Sequence, residues 1–320
     1  MLTIYVTRDF DQMSEFAASL AEERIKACQT RKAECVLGLA TGNSPTKMYK
    51  HLANAFNSKR IDARRARSFN LDEYIGLPGE NAQQRALNRH SYSYFMFAEF
   101  FSLLNEPFLE TSMPQGLLVE QTRLATALAA NPAHYELQGT KSGKAVVIKD
   151  GATGYLREIK ENILDAYQRK IEAAGGIDLQ IIGVGGHGHV AFHESGIPFA
   201  KNAMLLVKLD DNTIDNAIRD GNFASKEESP LYAISMGAEL VYKAGTVLLL
   251  ASGARKTAPV AEALLGDVQS DVPISYGQKY AAEGGEMLYV LDEAAAAGLL
   301  PAQDALAAKG YTVVDLRYNP

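Results

Sequence analysis

Residues 177–194 read IDLQIIGVGGHGHVAFHE, and the fold assignment rests on this stretch. Residues 179–184 form a compact apolar run without clean two-residue alternation, which is typical of a strand buried on both faces of a sheet. The run ends in Gly185-Gly186, and the following residues carry three of the chain's six histidines and a glutamate. Polar side chains directly after a buried strand predict a ligand site at the carboxyl edge of a parallel sheet.

Strand and helix signals alternate along most of the chain. Apolar residues at helical spacing predict helices over 10–28, from 45 through 52, and over 154–174. Compact apolar runs predict strands at 2–6, 35–39, 68–71, 179–184, 204–209, 246–251, 287–291 and 312–316. This alternation predicts βαβ units, and therefore an α/β fold with a mostly parallel sheet and helices on both of its faces.

One segment does not fit that alternation. Residues 107–153 contain three prolines and several glycines, with a hairpin predicted over 135–148. A structureless loop of this length is improbable inside a compact domain, so we expect the segment to have structure of its own. The prediction is a single α/β domain over 1–320, with an insertion at about 107–153 that decorates the domain and could lie over the site.

Composition and charge exclude several classes of partner. The chain has 320 residues, 47% hydrophobic and 22% charged, with a formal net charge of −6. No stretch of lysine and arginine is dense enough to follow a phosphate backbone, so a nucleic-acid partner is not expected. The longest apolar runs are too short to span a bilayer, so no membrane partner is expected either.

The cell address predicted from the sequence is the cytoplasm. The two cysteines, Cys28 and Cys35, make neither a disulfide framework nor a zinc-site pattern, which favours a reducing compartment. The first residues resemble a strand and show no basic segment followed by an apolar segment, so no signal peptide is expected there.

The first candidate site is the loop at 38–45, GLATGNSP, between a predicted strand and a predicted helix. Ser44 is expected to cap the helix, with Pro45 at its first position. Backbone N–H groups at a helix start and the hydroxyls of Thr41 and Ser44 suit a phosphate group. The alternative is a capped βα turn without a ligand.

The second candidate is the acidic pair in 69–74, FNLDEY. Asp72 and Glu73 stand where a predicted strand ends, and a carboxylate there can act as a general base if burial raises its pKa. The alternative is a solvated turn with helix-capping acids.

The third candidate is the histidine cluster of 177–194. Imidazole titrates near neutral pH and can transfer protons in either direction, and Glu194 could orient and stabilise His189. A zinc site is the alternative, because His187, His189, His193 and Glu194 are ligand types. The spacing matches no strong zinc pattern, so we predict no metal.

The fourth candidate is a pair of cations, Arg219 and Lys256, which could complete a phosphate site. Arg255 is a direct competitor to Lys256. For each of them the alternative is a solvated surface position.

Taken together and in this order, the segments resemble the glucosamine-6-phosphate deaminase/isomerase family. The resemblance covers most of the chain outside 107–153 and is most specific at 69–78 (FNLDEYIGLP), 91–96 (SYSYFM) and 177–194. The loop GLATGNSP and the segment LLASGARK at 249–256 support it. The Asp-Glu-Tyr form followed by Gly-Leu-Pro is more similar to the deaminases than to the related 6-phosphogluconolactonases.

The resemblance implies a Rossmann-like fold that uses no nucleotide cofactor. It implies conversion of glucosamine 6-phosphate, or of galactosamine 6-phosphate, to the ketose 6-phosphate and ammonia. Asp72 would move a proton between C2 and C1, His189 would open the sugar ring, and Glu194 would support His189. The implied phosphate ligands are Thr41, Gly42, Asn43, Ser44, Arg219 and Lys256.

Two positions depart from the family pattern. His187 stands where the family usually has an acid two residues before the catalytic histidine, and His193 stands where an asparagine is common. We include His187 among the catalytic candidates because a second imidazole there would alter the proton affinity of His189.

Two other functions remain open at this level. One is a 6-phosphogluconolactonase-like hydrolase, which would need the phosphate seat and His189 but no base at C2. The other is a non-catalytic sugar-phosphate-binding protein. A homo-oligomer is expected because members of the family are often oligomers.

Overall fold

The computed structural model describes residues 1–318, in which strands and helices alternate as predicted. The strands are β1 (Leu2–Thr7), β2 (Cys35–Leu39), β3 (Ala66–Asn70), β4 (Asp72–Ile75), β5 (Glu110–Ser112), β6 (Tyr135–Gln138), β7 (Lys144–Ile148), β8 (Leu179–Ile182), β9 (Met204–Lys208), β10 (Tyr232–Met236), β11 (Thr246–Ala251), β12 (Glu286–Asp292) and β13 (Thr312–Asp315). The helices are α1 (Phe10–Arg31), α2 (Thr46–Asn57), α3 (Ala82–Ala86), α4 (Tyr92–Glu99), α5 (Gln121–Ala130), α6 (Gly154–Ile159), α7 (Asp165–Ala173), α8 (Asp211–Arg219), α9 (Ala238–Val241), α10 (Thr257–Leu265), α11 (Tyr276–Ala282), α12 (Glu293–Ala296) and α13 (Gln303–Ala308).

The larger sheet has eight strands in the order β13-β1-β12-β11-β8-β2-β3-β5. All of its pairings are parallel, which confirms the predicted α/β class. Its central strands are buried on both faces, as their continuous apolar runs predict. In β2, Leu37 and Leu39 face a core with α1, α2 and α4, while Val36 faces a second core with α7 and α10 to α13.

A second sheet of five antiparallel strands, in the order β4-β10-β9-β7-β6, was not predicted. The apolar run at 204–209 is a strand, as expected, but it lies in this sheet because β9 pairs antiparallel with β7 and β10. Strands β4 and β10 escaped the sequence patterns because they are short and carry polar residues such as Asp72, Glu73 and Ser235.

The segment 107–153 contributes to both sheets. Strand β5 is the edge strand beside β3, and strands β6 and β7 form the predicted hairpin and extend the second sheet beside β9. Helix α5 packs with α6 over one face of that second sheet, in a core that includes Leu124 and Leu156. The bounds 107–153 for the insertion stay a prediction.

Two predictions differ in detail from the structure. The helix expected over 154–174 is divided into α6 and α7 by a π-helical turn at Lys160–Leu164. The prediction that Ser44 caps α2 is wrong, because the helix begins at Thr46 and Pro45 occupies the cap position. No side chain among residues 1–318 caps the first turn of α2, so the backbone N–H groups of that turn remain able to bind an anion.

Within the described part of the chain, we find no helix that is both long enough and apolar enough to cross a membrane.

Candidate active site

The carboxyl ends of four adjacent strands, β11, β8, β2 and β3, meet at one edge of the parallel sheet. The loops that follow these strands line a cavity of about 860 Å³. The lining includes every site residue predicted from the sequence except Glu194, which lies directly behind His189: Thr41, Gly42, Asn43, Ser44, Asp72, His187, His189, Arg219 and Lys256. Parallel strand order therefore gathers segments that are far apart in sequence.

The loop between β2 and α2 presents backbone at the cavity wall. Gly42 has φ of 89°, in the left-handed region that favours glycine, and turns the chain between the strand and the helix. The hydroxyl of the buried Tyr49 donates to the carbonyl of Ala40 at 2.6 Å and so ties α2 to the start of the loop. The uncapped start of α2 and the neighbouring hydroxyls suit a phosphate group.

Asp72 is the first residue of β4 and is only 5% exposed. Its strand pairs antiparallel with β10, where Ser235 is its partner. Burial raises the pKa of Asp72 well above its usual range, and the negative charges of Glu73 and Glu194 raise it further. A carboxyl with a raised pKa can accept a proton from carbon more readily than an ordinary aspartate can.

Glu73 stabilises the first turn of α4. Its carboxylate accepts hydrogen bonds from the backbone N–H groups of Tyr92 (3.0 Å) and Ser93 (2.8 Å) and from the Ser93 hydroxyl (2.8 Å). It therefore holds the first turn of α4, whose residue Tyr92 lines the cavity. Asp72 thus remains the acid of this pair that faces the cavity.

His189 and Glu194 form a hydrogen-bonded pair. Nδ1 of His189 lies 3.0 Å from Oε2 of Glu194, and the side chains are 15% and 2% exposed. The Thr213 hydroxyl donates to the same oxygen at 2.9 Å. A proton on Nδ1 directed at the carboxylate leaves Nε2 for a ligand. The His189 ring packs so closely on the backbone at position 185 that only glycine fits there, since a Cβ would lie 1.8 Å from Nε2 of His189.

His187 lies two residues before His189 and is exposed. It lines both the main cavity and a neighbouring cavity of about 520 Å³, in which Asp210 also lies. His187 and Asp210 line the smaller cavity together, so an acidic group from a different part of the chain lies on the same cavity wall as this imidazole.

The three histidines of the cluster do not converge on one point. His193 is fully buried and accepts from the backbone N–H of Ala238 (3.1 Å), and its other ring nitrogen donates to the carbonyl of Ile197 (3.0 Å). His193 is thus a structural residue. Between residues 1 and 318, the potential metal-ligand group consists of Cys28, Cys35 and Asp178, at the amino edge of the sheet, away from this site.

Within residues 1–318, four cations line the main cavity: Arg89, Arg219, Arg255 and Lys256. Lys256 is partly buried and donates from Nζ to the carbonyl of Val184 at 2.5 Å. Burial lowers its pKa, and the positive charge of Arg255 lowers it further. Arg255 is mostly exposed and pairs with Asp220 at 3.0 Å. Arg219, at the end of α8, is exposed and donates to Asn216 at 2.7 Å.

Sequence reasoning missed several residues of the site. Tyr74, Tyr92 and Phe192 form an aromatic wall, with ring centroids 4.9 Å apart for the two tyrosines and 5.8 Å for Tyr92 and Phe192. All three lie inside the motifs quoted for the family resemblance, and this position could have identified them as candidates for the site. Thr213 and Asp210 carried no such signal, because only the tertiary structure brings them to Glu194.

Comparison with known proteins gives two kinds of match. No model of a known protein family matches the chain. A glucosamine-6-phosphate deaminase of Clostridium botulinum (strain Hall) is 32% identical over 298 residues, which cover 93% of this chain and 99% of the relative. A glucosamine-6-phosphate deaminase of Clostridium acetobutylicum is 32% identical over 295 residues, covering 92% and 99%.

Solved structures with the same fold include a monomeric glucosamine-6-phosphate deaminase, with a TM-score of 0.69 and 24% identity over 92% of this chain and 99% of that one. They also include a 6-phosphogluconolactonase from Trypanosoma brucei, with a TM-score of 0.59 and 17% identity over 93% of this chain and 99% of that one. These likenesses concern the fold. Identity of 32% over almost the full length of the curated relatives shows that the chain belongs to the glucosamine-6-phosphate deaminase family.

Proposed function

We propose that this protein converts glucosamine 6-phosphate to fructose 6-phosphate and ammonia. The observation that carries the proposal is the shared cavity, in which a buried carboxyl of raised pKa and a histidine–glutamate pair lie together with a phosphate-binding type of loop. An aldose-to-ketose conversion needs a base beside C2, a ring-opening acid and base, and an anchored phosphate.

The phosphate is proposed to bind at the start of α2. Thr41, Gly42, Asn43 and Ser44 supply backbone N–H groups and hydroxyls there, and the helix start favours negative charge. Lys256, after β11, and Arg219, at the end of α8, supply positive charge to the same cavity.

His189 is proposed to open the pyranose ring. Its Nε2 takes the proton of the anomeric hydroxyl and delivers a proton to the ring oxygen as the C1–O5 bond breaks, which yields the open-chain aldehyde. Glu194 stabilises the imidazolium that forms and keeps the ring oriented. His187 lies close enough to the same cavity to influence this step.

Asp72 is proposed to transfer the proton between carbons. Its carboxylate removes the proton from C2 of the aldehyde while the substrate's own C2 ammonium group gives a proton to O1, which yields a neutral enolamine. Asp72 then returns its proton to C1. The product is an iminium at C2 next to a CH₂OH group. Water adds to this C=N bond and ammonia leaves, so the net reaction is an isomerisation followed by hydrolysis, without electron exchange.

A 6-phosphogluconolactonase activity is the second candidate, because solved lactonases share the fold. A lactonase has no need of a base at C2. The burial of Asp72 and its raised pKa therefore favour the deaminase reaction.

The test is ammonia release from glucosamine 6-phosphate, with galactosamine 6-phosphate and 6-phosphogluconolactone assayed in parallel. We expect ammonia from an amino sugar, and a loss of at least about 10³-fold in kcat in Asp72→Asn because the base is removed. The matched control is Asp304→Asn, an exposed position on α13, which should retain wild-type activity.

Lactone hydrolysis that persists in Asp72→Asn, with no ammonia from either amino sugar in the wild type, would favour the lactonase instead. Binding of sugar phosphates without any turnover would favour a non-catalytic binding protein.

We further propose a cytoplasmic address and a homo-oligomeric state. Phosphorylated sugars are cytoplasmic metabolites, and the two cysteines are free thiols, as a reducing compartment allows. Light scattering after size-exclusion chromatography measures the oligomeric state directly.

A further inference from the structure

Asp210 connects the His189–Glu194 pair to two distant elements. Its backbone N–H donates to Oε1 of Glu194 at 3.2 Å, the oxygen that does not face His189. Its side chain caps α8 by accepting from the N–H of Asn212 at 2.9 Å. The same helix carries Thr213, which donates to Glu194. Both carboxylate oxygens of Glu194 are thus held from the start of α8.

The hairpin of the predicted insertion holds Asp210 in turn. Oδ2 of Asp210 accepts from the Ser142 hydroxyl (2.8 Å) and from the N–H of Gly143 (3.0 Å). The Ser142 hydroxyl also accepts from the N–H of Asp211 at 3.0 Å. These bonds join the connection between β6 and β7 to the first turn of α8. Asp210 is 7% exposed, and its hydrogen bond from Gly143 is buried.

The hairpin also packs directly on Glu194. A Cβ at Gly143 would lie 2.8 Å from Cβ of Glu194 and 3.0 Å from Cβ of Asp210. These atoms lie at the base of their side chains and cannot move without the backbone. A larger residue at position 143 would therefore push on the carboxylate that orients His189.

Asp210 carries a negative charge at neutral pH. Burial alone would raise its pKa, but the hydrogen bonds from Ser142, Gly143 and Asn212 and the charge of His187 lower it below its usual range. The side chain lies in the smaller cavity together with His187. The Asp210 carboxylate, at the start of α8, therefore faces the loop that carries His189 and Glu194.

We infer that Asp210 is a positioning residue for His189 and Glu194, and that the β6–β7 hairpin keeps it in place through Ser142 and Gly143. This inference rests on the proposed function, because ring opening by His189 is the step that it supports. The predicted insertion is then part of the machinery of the site, although none of its residues lines the main cavity.

The experiment compares Gly143→Ala with Gly151→Ala, a matched substitution in the same segment where an added Cβ meets nothing within 4 Å. Asp210→Asn is compared with Lys141→Ala, which removes a different polar contact of the hairpin, the ion pair of Lys141 with Asp271. We measure kcat and KM for ammonia release, and the calorimetric affinity for 2-amino-2-deoxyglucitol 6-phosphate, an open-chain analogue that needs no ring opening.

We expect kcat to fall about 10- to 100-fold in Gly143→Ala and in Asp210→Asn, while the affinity for the analogue changes about twofold or less. Gly151→Ala and Lys141→Ala should behave as the wild type. A parallel loss of kcat and analogue affinity would mean general damage to the cavity and would overturn the inference, as would an unchanged kcat in both test variants.

Amide hydrogen exchange separates this inference from the proposed function. Residues 187–196 should exchange faster in Gly143→Ala than in Gly151→Ala, whatever the substrate of the protein is. Ser142→Ala, a milder change, should show the same direction if a test variant fails to fold. Absence of ammonia release by the wild type would contradict the proposed function alone, whereas unchanged exchange in residues 187–196 would contradict the positioning role.

Discussion

At the scale of single residues, the proposed role of Asp72 as a base carries a cost in stability. The site keeps its carboxyl in an environment that disfavours the charged form, which strengthens it as a base. The same environment penalises the folded state whenever Asp72 is ionised, because the unfolded chain solvates the carboxylate fully.

Asp72→Asn should therefore be more stable than the wild type at pH 7–8, although we expect it to be inactive. The folded-state pKa of Asp72 is raised, so the neutral group favours folding at low pH and that contribution is lost as pH rises through the raised pKa. Thermal unfolding should show a melting temperature higher by about 2 °C or more at pH 8, and no difference near pH 3.5. A variant that melts at lower temperature at pH 8 would contradict this.

His193 should make the protein sensitive to acid. Burial lowers its pKa from the ordinary 6.5 to about 4, so the unfolded chain binds a proton first as pH falls. The stability that neutral His193 contributes is complete above pH 6.5 and is lost as pH falls towards 4, by about 3 kcal/mol in all.

The variant His193→Asn, whose amide can still accept and donate, should lose less stability over that window in urea titrations. His134→Asn, at a partly exposed histidine, is the control. Equal acid sensitivity of the wild type and His193→Asn would show that other groups cause it.

Lys256 and Arg255 should differ in their importance for phosphate binding. Lys256 is held against the glycine-rich loop by its bond to Val184, whereas Arg255 is exposed and paired with Asp220. Lys256→Met should raise KM for glucosamine 6-phosphate by about tenfold or more, and Arg255→Met by about twofold or less. A larger effect of Arg255→Met in steady-state kinetics would assign the phosphate to the arginine.

At the scale of elements, helix α4 depends on a carboxylate from a different strand. The Ser91 hydroxyl accepts from the N–H of Tyr94 (3.0 Å), but Glu73 of β4 binds the two preceding N–H groups. The aromatic side of the cavity, at Tyr92, is therefore fixed by the residue adjacent to Asp72. Strand β4 therefore links the proposed base to the aromatic wall of the cavity.

Glu73→Gln should loosen α4 without removing the base. The NH₂ group of a glutamine would face backbone N–H groups of α4, and two donors cannot bond to each other. At least one hydrogen bond to α4 is therefore lost, which lowers the free energy of unfolding by about 1–3 kcal/mol. We expect KM to rise more than kcat falls, because Tyr92 lines the cavity. Glu99→Gln, at the end of the same helix, is the control, and equal stability of the two variants would contradict this role.

At the scale of the whole molecule, the parallel sheet separates two chemically different edges. The carboxyl edge holds the cavity, while Cys28 and Cys35 lie buried at the amino edge near Asp178. Burial raises the pKa of both thiols, so thiolate is scarce at neutral pH.

Native protein at pH 8 should therefore react slowly with iodoacetamide and keep its activity, whereas the unfolded protein should label at both cysteines. Mass spectrometry of the labelled peptides gives the rates. Rapid labelling of the native protein, with loss of activity, would mean that the amino edge opens and communicates with the site.

Local sequence was sufficient where one segment carries its own physical constraint. Continuous apolar runs such as 35–39 and 246–251 can only be buried on both faces, and glycines at 185 and 186 mark the turn that presents His189. Proline at 45 marks the start of α2 to within one residue. The α/β class, the order of its elements and the segments of the site follow from such constraints.

The tertiary structure alone decided the contacts between segments. No periodic pattern in the sequence predicts the hydrogen bonds of Asp210 and Thr213 to Glu194, or the contact of the hairpin at Gly143. Each of them pairs polar groups of elements that are distant along the chain. Sequence alone placed Asp72 and His189 at strand ends. Burial within two packed sheets is what raised the pKa of Asp72 and made a hydrogen-bonded pair of His189 and Glu194, because desolvation and hydrogen-bond geometry depend on every neighbour in space and not on those in sequence.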